Sequence, residues 1–179
     1  TYRVNQVWVD FGKKSYHFST PFALADQMRK DVPGLEYITK VHHPFQSVIE
    51  INPNKRFKQD RVMMTDADFL EVFDVKIVAG NAHEAMRKPY QAVLTETIAK
   101  KFYGRENPIG KTFKFNNAFD ITVGAVIKDF PGNTHLAASM LLSFSDNERY
   151  VGTNMSHYGS VSGGTTFFVL PKGTKPGNG

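Results

Sequence analysis

The stretch Gly104-Arg-Glu-Asn-Pro-Ile-Gly110-Lys111-Thr112 ends like the phosphate loop of a nucleotide-binding protein. In such a loop four residues separate the first glycine from the Gly-Lys-Thr, so that successive backbone N–H groups wrap the β-phosphate. Here five intervene. The order of elements is also wrong. A phosphate loop runs from strand into helix, because the helix N-terminus supplies part of the anion site. Here the helix is predicted first, over 95–103: Ile98 and Phe102 share a face, Glu96 lies near its start, Lys100 and Lys101 lie near its end, and Gly104 stands at the C-terminal cap. Beyond it Phe113 and Phe115 alternate with Thr112 and Lys114, Asn116-Asn117 offers a turn, and Phe119, Ile121 and Val123 alternate with Asp120 and Thr122. The pattern is helix, loop and hairpin, with no nucleotide.

Other constellations fail on spacing. His42 and His43 would face opposite sides of a strand, and neither has a carboxylate or histidine partner at i+2 or i+4, so no metal is assigned to them. His17, His83, His135 and His157 are dispersed singletons. Asp66-Ala-Asp68 begins like a calcium loop, but Leu70 and Glu71 stand where a ligand and a glycine are needed, and Asp66 is expected to cap a helix instead. Gly159-Ser-Val-Ser-Gly163 has Val161 where a nucleophile elbow needs serine and reads as a loop. Asn154-Met-Ser156 matches a glycosylation acceptor, which matters only in a eukaryotic secreted protein. Lys55, Arg56, Lys58 and Arg61 form the densest basic run. On a strand they alternate between two faces, the pattern of a solvated ribbon rather than a nucleic-acid surface. No catalytic, cofactor-binding or metal-ligating residue is assigned, and no nucleic-acid partner is expected.

The elements that must position these residues follow from the rest of the chain. Its 179 residues, with 15 Phe and many aliphatic residues, can fill a core without staples, and the absence of cysteine excludes disulfides, thiol nucleophiles and thiolate metal sites. The net charge of +5 comes from scattered side chains. No apolar run approaches the ~18 residues that cross a bilayer, and a start at Thr1 without a signal-like segment is expected of a piece of a longer protein. A hairpin or two short strands are predicted over 1–18, with a turn at Gly12-Lys13-Lys14. Thr20-Pro21 should open a helix that buries Phe22, Ala25, Met28 and Leu24 and stops at Pro33-Gly34. Strands follow over 35–41, 45–51 and 55–64, a short helix over 67–73, then brief strands over 75–78 and 92–94. After the helix and hairpin already described come a buried strand within 136–144, an irregular connection over 145–164, a strand over 165–170, and a tail without core-forming pattern.

In that order the pieces resemble the periplasmic core domain of MacB-like and FtsX-like ABC transporter permeases, in the form abundant in Bacteroidetes. The residues that carry the resemblance are Asp66-x-x-Phe69-x-x-x-Phe73, Gly80, Val93-Leu94-Thr95, Asn107-Pro108-x-Gly110-Lys111 and Val126-Ile127-Lys128-Asp129, within a span of about 20–170. The resemblance implies an α+β fold: a porter-like α/β subdomain made from both chain ends (1–65 and 146–179), with an inserted β-rich, Sabre-like subdomain (66–145). It implies a non-enzymatic domain between the first two transmembrane helices of a permease, periplasmic, coupled to a cytoplasmic ABC ATPase and working as a permease dimer. A periplasmic adaptor, lipoprotein or peptide is the implied partner or substrate. The family's second porter half continues past the 165–170 strand, whereas this sequence ends in Pro-Gly-Asn-Gly179, so the expectation is either a half cut short in this sequence or a member with a shorter half. Phe69, Phe73, Phe102 and Phe113 are expected to be core residues. A sensor or ligand-binding module is the alternative, and a hydrolase stands third.

Overall fold

The computed structural model describes residues 1–132, 134, 136–146 and 164–174. Sequence period decides most elements. Alternating segments give β1 (Tyr2–Arg3), β2 (Gln6–Asp10), β3 (Lys13–His17), β4 (Tyr37–His42), β5 (Phe45–Asn52), β6 (Lys55–Thr65), β7 (Ile77–Gly80), β8 (Gln91–Thr95), β9 (Thr112–Phe115), β10 (Phe119–Ile127), β11 (Met140–Ser143) and β12 (Gly164–Val169). Among the described residues four short α-helices intervene: α1 (Ala23–Asp31), α2 (Asp68–Val72), α3 (Ala82–Ala85) and α4 (Glu96–Tyr103). The result is a mixed fold of few helices on a large sheet.

The pairing path closes on itself. Antiparallel β5–β6, parallel β6–β11, antiparallel β11–β8, parallel β8–β10, antiparallel β10–β9 and antiparallel β9–β5 form a six-stranded ring. Every second side chain points into it: Ile49, Val62, Met64, Ala92, Leu94, Phe113, Phe115, Ile121, Val123, Met140 and Leu142 form one buried cluster, joined by Phe22, Ile98, Phe102 and Phe144. The period-two alternation of a strand makes this possible. Intervening residues such as Met63, Val93 and Leu141 face outward and are covered by Phe69, Leu70 and Val72 of α2 and by Ala82 and Ala85 of α3. A register shift between Val123 and Ala125 switches β10 from one cluster to the other, which places Ala125 and Ile127 on the outer layer. Outside the ring, β6 meets β4 at a single position, Val41 opposite Thr65, and β4 continues through β12 to β1. Hydrogen bonding therefore passes from the chain ends into the ring across the 65/66 division drawn from the sequence.

Two expected helix caps are corrected. Thr20 does not cap α1, which starts at Ala23 after Phe22 with no side-chain cap. Its backbone instead bridges Gly164, and its hydroxyl pairs with that of Thr166 at 2.9 Å, because the extended chain entering α1 lies against the edge of β12. Asp66 does not cap α2 either: the cap position is Ala67, already in helical conformation, and the Asp66 carboxylate turns toward β4. Conversely, α3 is absent from the sequence-based expectation, although Asn81 caps it by accepting the Glu84 N–H at 3.1 Å. Its four residues are too few to show a helical period. The irregular connection and the tail fall largely outside the described residues, as do Gly159–Gly163 and Asn154.

Gly80 ends β7 at φ +76, where a Cβ would lie 2.3 Å from the Gly124 carbonyl oxygen and 2.8 Å from Ala125 Cα. Both neighbours are backbone of a buried strand and cannot move aside. Gly80→Ala is expected to cost about 2–4 kcal/mol by combining left-handed strain with a backbone clash, measured by urea denaturation.

Candidate functional site

The Gly-Lys-Thr stretch lies where the loop after α4 returns to the ring. Thr95 caps α4, accepting the Ile98 N–H at 3.4 Å, and Gly104 ends it with its N–H on the Lys100 carbonyl at 2.8 Å. The Asn107 side chain accepts the Ile109 N–H at 3.1 Å, and Gly110 at φ +81 lets the chain turn so that its own N–H reaches the Val123 carbonyl at 2.8 Å. An open groove of about 740 Å³ borders this loop, but its cations are engaged. Lys55 Nζ donates to the Lys101 and Phe102 carbonyls at 2.7 and 2.8 Å, closing the C-terminal end of α4, and Lys111 pairs with Glu106. Burial pushes the Tyr103 phenol up to about 12, so it stays protonated. These groups hold a loop in place.

The adjacent histidines at the end of β4 each meet a neighbour. His42 stacks on Phe22 at 5.7 Å, and His43 reaches the Thr165 hydroxyl at 3.0 Å. Burial, followed by the neighbouring charge of His42, lowers the pKa of His43 and favours its neutral form. Among the described residues no group of three or more His, Asp or Glu side chains could hold a metal ion, and no helix is long and apolar enough to cross a membrane. Asp129 accepts the Thr97 N–H and hydroxyl at 3.2 and 2.7 Å, while Lys128 pairs with Glu96 at 3.1 Å, so this motif anchors the start of α4.

Sequence reasoning missed a joint of charged groups where α1, β4 and α2 meet beside a cavity of about 300 Å³. Arg29 of α1 reaches Asp26 at 3.1 Å, Asp68 at 3.2 Å, Asp66 at 3.8 Å and the Ile38 carbonyl at 2.6 Å. Lys40 of β4 pairs with Asp26 at 2.6 Å. The Asp66 carboxylate accepts the Thr39 hydroxyl at 2.6 Å and the Lys40 N–H at 3.4 Å. Only 21% of the Asp66 side chain is exposed, and burial pushes its carboxyl up to about 6, Asp68 adding to the rise while Thr39, Arg29 and Lys40 oppose it. The sequence signal was the spacing Asp26-x-x-Arg29 with Asp66-x-Asp68, which becomes a cluster only when α1 and α2 pack on β4.

A second feature is an exposed hairpin arm. β1 pairs with β12 at Phe167 and Phe168, the chain leaves that edge after Val4, whose N–H meets the Thr166 carbonyl, and it returns at Thr20 opposite Gly164. Between these points, among the described residues, β2 and β3 form a two-stranded sheet of their own. Val7 and Tyr16 oppose one another, and Val9 opposes Lys14, on one face of the arm. Tyr16 is 70% exposed and Phe11, at the turn, 99%. Phe11→Ser combined with Val9→Thr is therefore expected to change stability by less than about 0.5 kcal/mol, a melting experiment that separates this arm from the core.

The sequence model of the MacB-like periplasmic core domain family matches residues 1–176. Among solved structures, a domain of a putative permease protein from Porphyromonas gingivalis superimposes with a TM-score of 0.77 at 22% identity, covering 92% of this chain and 68% of that one. The periplasmic region of MacB from Actinobacillus actinomycetemcomitans gives 0.68 at 16% identity, covering 89% and 69%. The extracellular domain of the ABC-type transporter YknZ from Gram-positive bacteria gives 0.61 at 13% identity, covering 86% and 74%. None of the curated proteins matches. At these identities the solved structures speak for the fold, and the match over nearly the whole sequence speaks for the family: the chain belongs to the MacB-like periplasmic core domains, the periplasmic domains of inner-membrane ABC transporter permeases.

Proposed function

We propose that this domain relays the stroke of a cytoplasmic ABC ATPase, through the permease's own transmembrane helices, to a substrate or partner outside the inner membrane. It carries no reaction of its own. The observation that supports this reading best is mechanical: β1 and β12 belong to the same hydrogen-bonded sheet as the ring, so a displacement at either is passed along the β12–β4 ladder and into β6 through the backbone pair of Val41 with Thr65 rather than by flexible loops. In this reading the chain ends (1–65 and 146–179) form the porter-like half and 66–145 the Sabre-like insertion, with β5 and β6 reaching across to complete the ring. The exposed arm of β2 and β3 is the surface offered to a periplasmic adaptor, lipoprotein or peptide, and the full-length permease works as a dimer.

The test uses the full-length permease with its ATPase in nanodiscs, carrying a photo-crosslinking residue in place of Phe11. Cross-linking to a periplasmic protein that changes between nucleotide-free and ATP-bound states supports the relay. Cross-linking unaffected by nucleotide, or turnover of a small molecule by the purified domain that one substitution abolishes, overturns it. A ligand-binding module would require an enclosed apolar pocket, whereas the groove beside Tyr103 is open and its lysines are paired.

A further inference from the structure

We propose that Asp66 is the proton-operated element of the joint between α1, β4 and α2: uptake of one proton by its carboxyl tightens the joint, and release of that proton loosens it. Charges from three elements face one another there. From α1 come Asp26 and Arg29, from β4 Lys40, and from the start of α2 Asp66 and Asp68, while Arg87 lines the same cavity and enters none of these pairs. Of the three carboxylates, Asp66 is the least tied to a cation: its contact to Arg29 is the longest of the three that this guanidinium makes with carboxylates, 3.8 Å against 3.1 and 3.2 Å. Asp66 is also the most buried of the three acids, its side chain 21% exposed against 48% for Asp26 and 33% for Asp68.

Protonation takes little from the joint. The Thr39 hydroxyl at 2.6 Å reaches Oδ1, which remains an acceptor in the neutral acid. The proton goes to Oδ2, on the side of the long contacts to the Lys40 N–H at 3.4 Å and Arg29 at 3.8 Å. Arg29 keeps Asp26, Asp68 and the Ile38 carbonyl, so α1 stays tied to both β4 and α2. The charge that burial opposes is gone, and the adjacent cavity of about 300 Å³ gives the proton a route from solvent. A joint that binds a proton and keeps its cross-ties is stronger loaded than empty. The burial-driven rise of the Asp66 carboxyl to about 6 puts the change in a range that a compartment open to external pH can cross. This inference is independent of the transport reading, because it concerns one chain and its own groups.

The test is a carboxyl NMR titration of the 179-residue chain labelled with ¹³C-Asp, alongside amide exchange at Ile38, whose N–H reaches Asp68 Oδ2 at 3.5 Å and so reports the joint without using Asp66 as acceptor, expressed as protection relative to intrinsic rates. Asp66 is expected to titrate near pH 6, with protection at Ile38 rising as the proton binds. Arg29→Gln, which removes a cation, should move that midpoint up, and Asp68→Asn, which removes a like charge, should move it down. Asp66→Asn should hold Ile38 protection at the high level across the range. An Asp66 midpoint at the ordinary carboxylate value, midpoints that ignore both neighbours, or protection at Ile38 with the same pH profile in Asp66→Asn as in the parent chain overturns the proposal.

Discussion

Phe102→Ala is expected to destabilise the domain by about 3–5 kcal/mol, more than truncation of a half-buried aromatic elsewhere in the fold. The side chain is 2% exposed and sits in the ring's cluster, with ring centroids 5.4 Å from Phe57 and 5.7 Å from Phe113. Removing it leaves a void between α4 and the closed ring, whose backbone ladders prevent collapse around the gap. The loss therefore includes both the transfer of the phenyl group out of water and the contacts its neighbours forfeit. A domain of this size has a total stability of roughly 5–15 kcal/mol, so the variant should approach the unfolding threshold. Chemical denaturation of parent and variant decides the matter, with Phe73→Ala as the comparison. Phe73 is only half-buried, packed on Phe69 and Phe167 at 4.7 and 5.1 Å, and its loss should cost clearly less. Equal losses at the two positions would mean that the ring's interior is not the better-packed core.

Asp66→Asn is expected to act in the opposite direction, raising stability at neutral pH. The sign follows from linkage. The carboxyl binds its proton more tightly in the folded chain, with a value of about 6 against 3.8 for the unperturbed group, so its contribution is fully present below about pH 4 and is lost as pH rises through about 6. The rise from 3.8 to about 6 corresponds to about 3 kcal/mol between those limits, an upper figure for a side chain that keeps some exposure. Asparagine preserves an acceptor for the Thr39 hydroxyl and never carries the charge. Urea denaturation at pH 7.5 and pH 5 should show the parent gaining stability on acidification and the variant gaining less by about 1.4 kcal/mol, roughly half of that amount, because the rest appears only nearer pH 3.8. A variant less stable than its parent at pH 7.5 would instead make the ionised carboxylate a net stabilising member of the joint.

What the sequence shows well is local. The helix over 95–103 and its glycine cap, the Asn116-Asn117 turn, and the alternation of β9 and β10 were readable because each is set by neighbours within a few residues. Both asparagines adopt the left-handed conformation, with φ of 49° and 60°, that a tight hairpin turn uses. The five-residue gap that spoils the phosphate-loop spacing was likewise a local fact, and the structure puts an Asn-Pro turn in it. Caps read from one residue type were less secure. Thr20 and Asp66 are good cap residues, yet their side chains found Thr166 and Thr39, because a hydroxyl or carboxylate takes whichever partner the packed chain brings nearest.

By itself, then, the sequence determined the period of each segment, the supply of apolar side chains that can fill a core, and the order of pieces by which the family is recognised. Tertiary structure alone decided that six strands close into a ring, that Asp26, Arg29, Lys40, Asp66 and Asp68 form one joint, and that β2 and β3 make a sheet separate from the large one. The physical reason is range. Backbone period and turn chemistry act between neighbours in the chain, whereas the ring and the joint join residues as far apart as Arg29 and Asp68, or Val62 and Met140, whose meeting depends on how every intervening element packs.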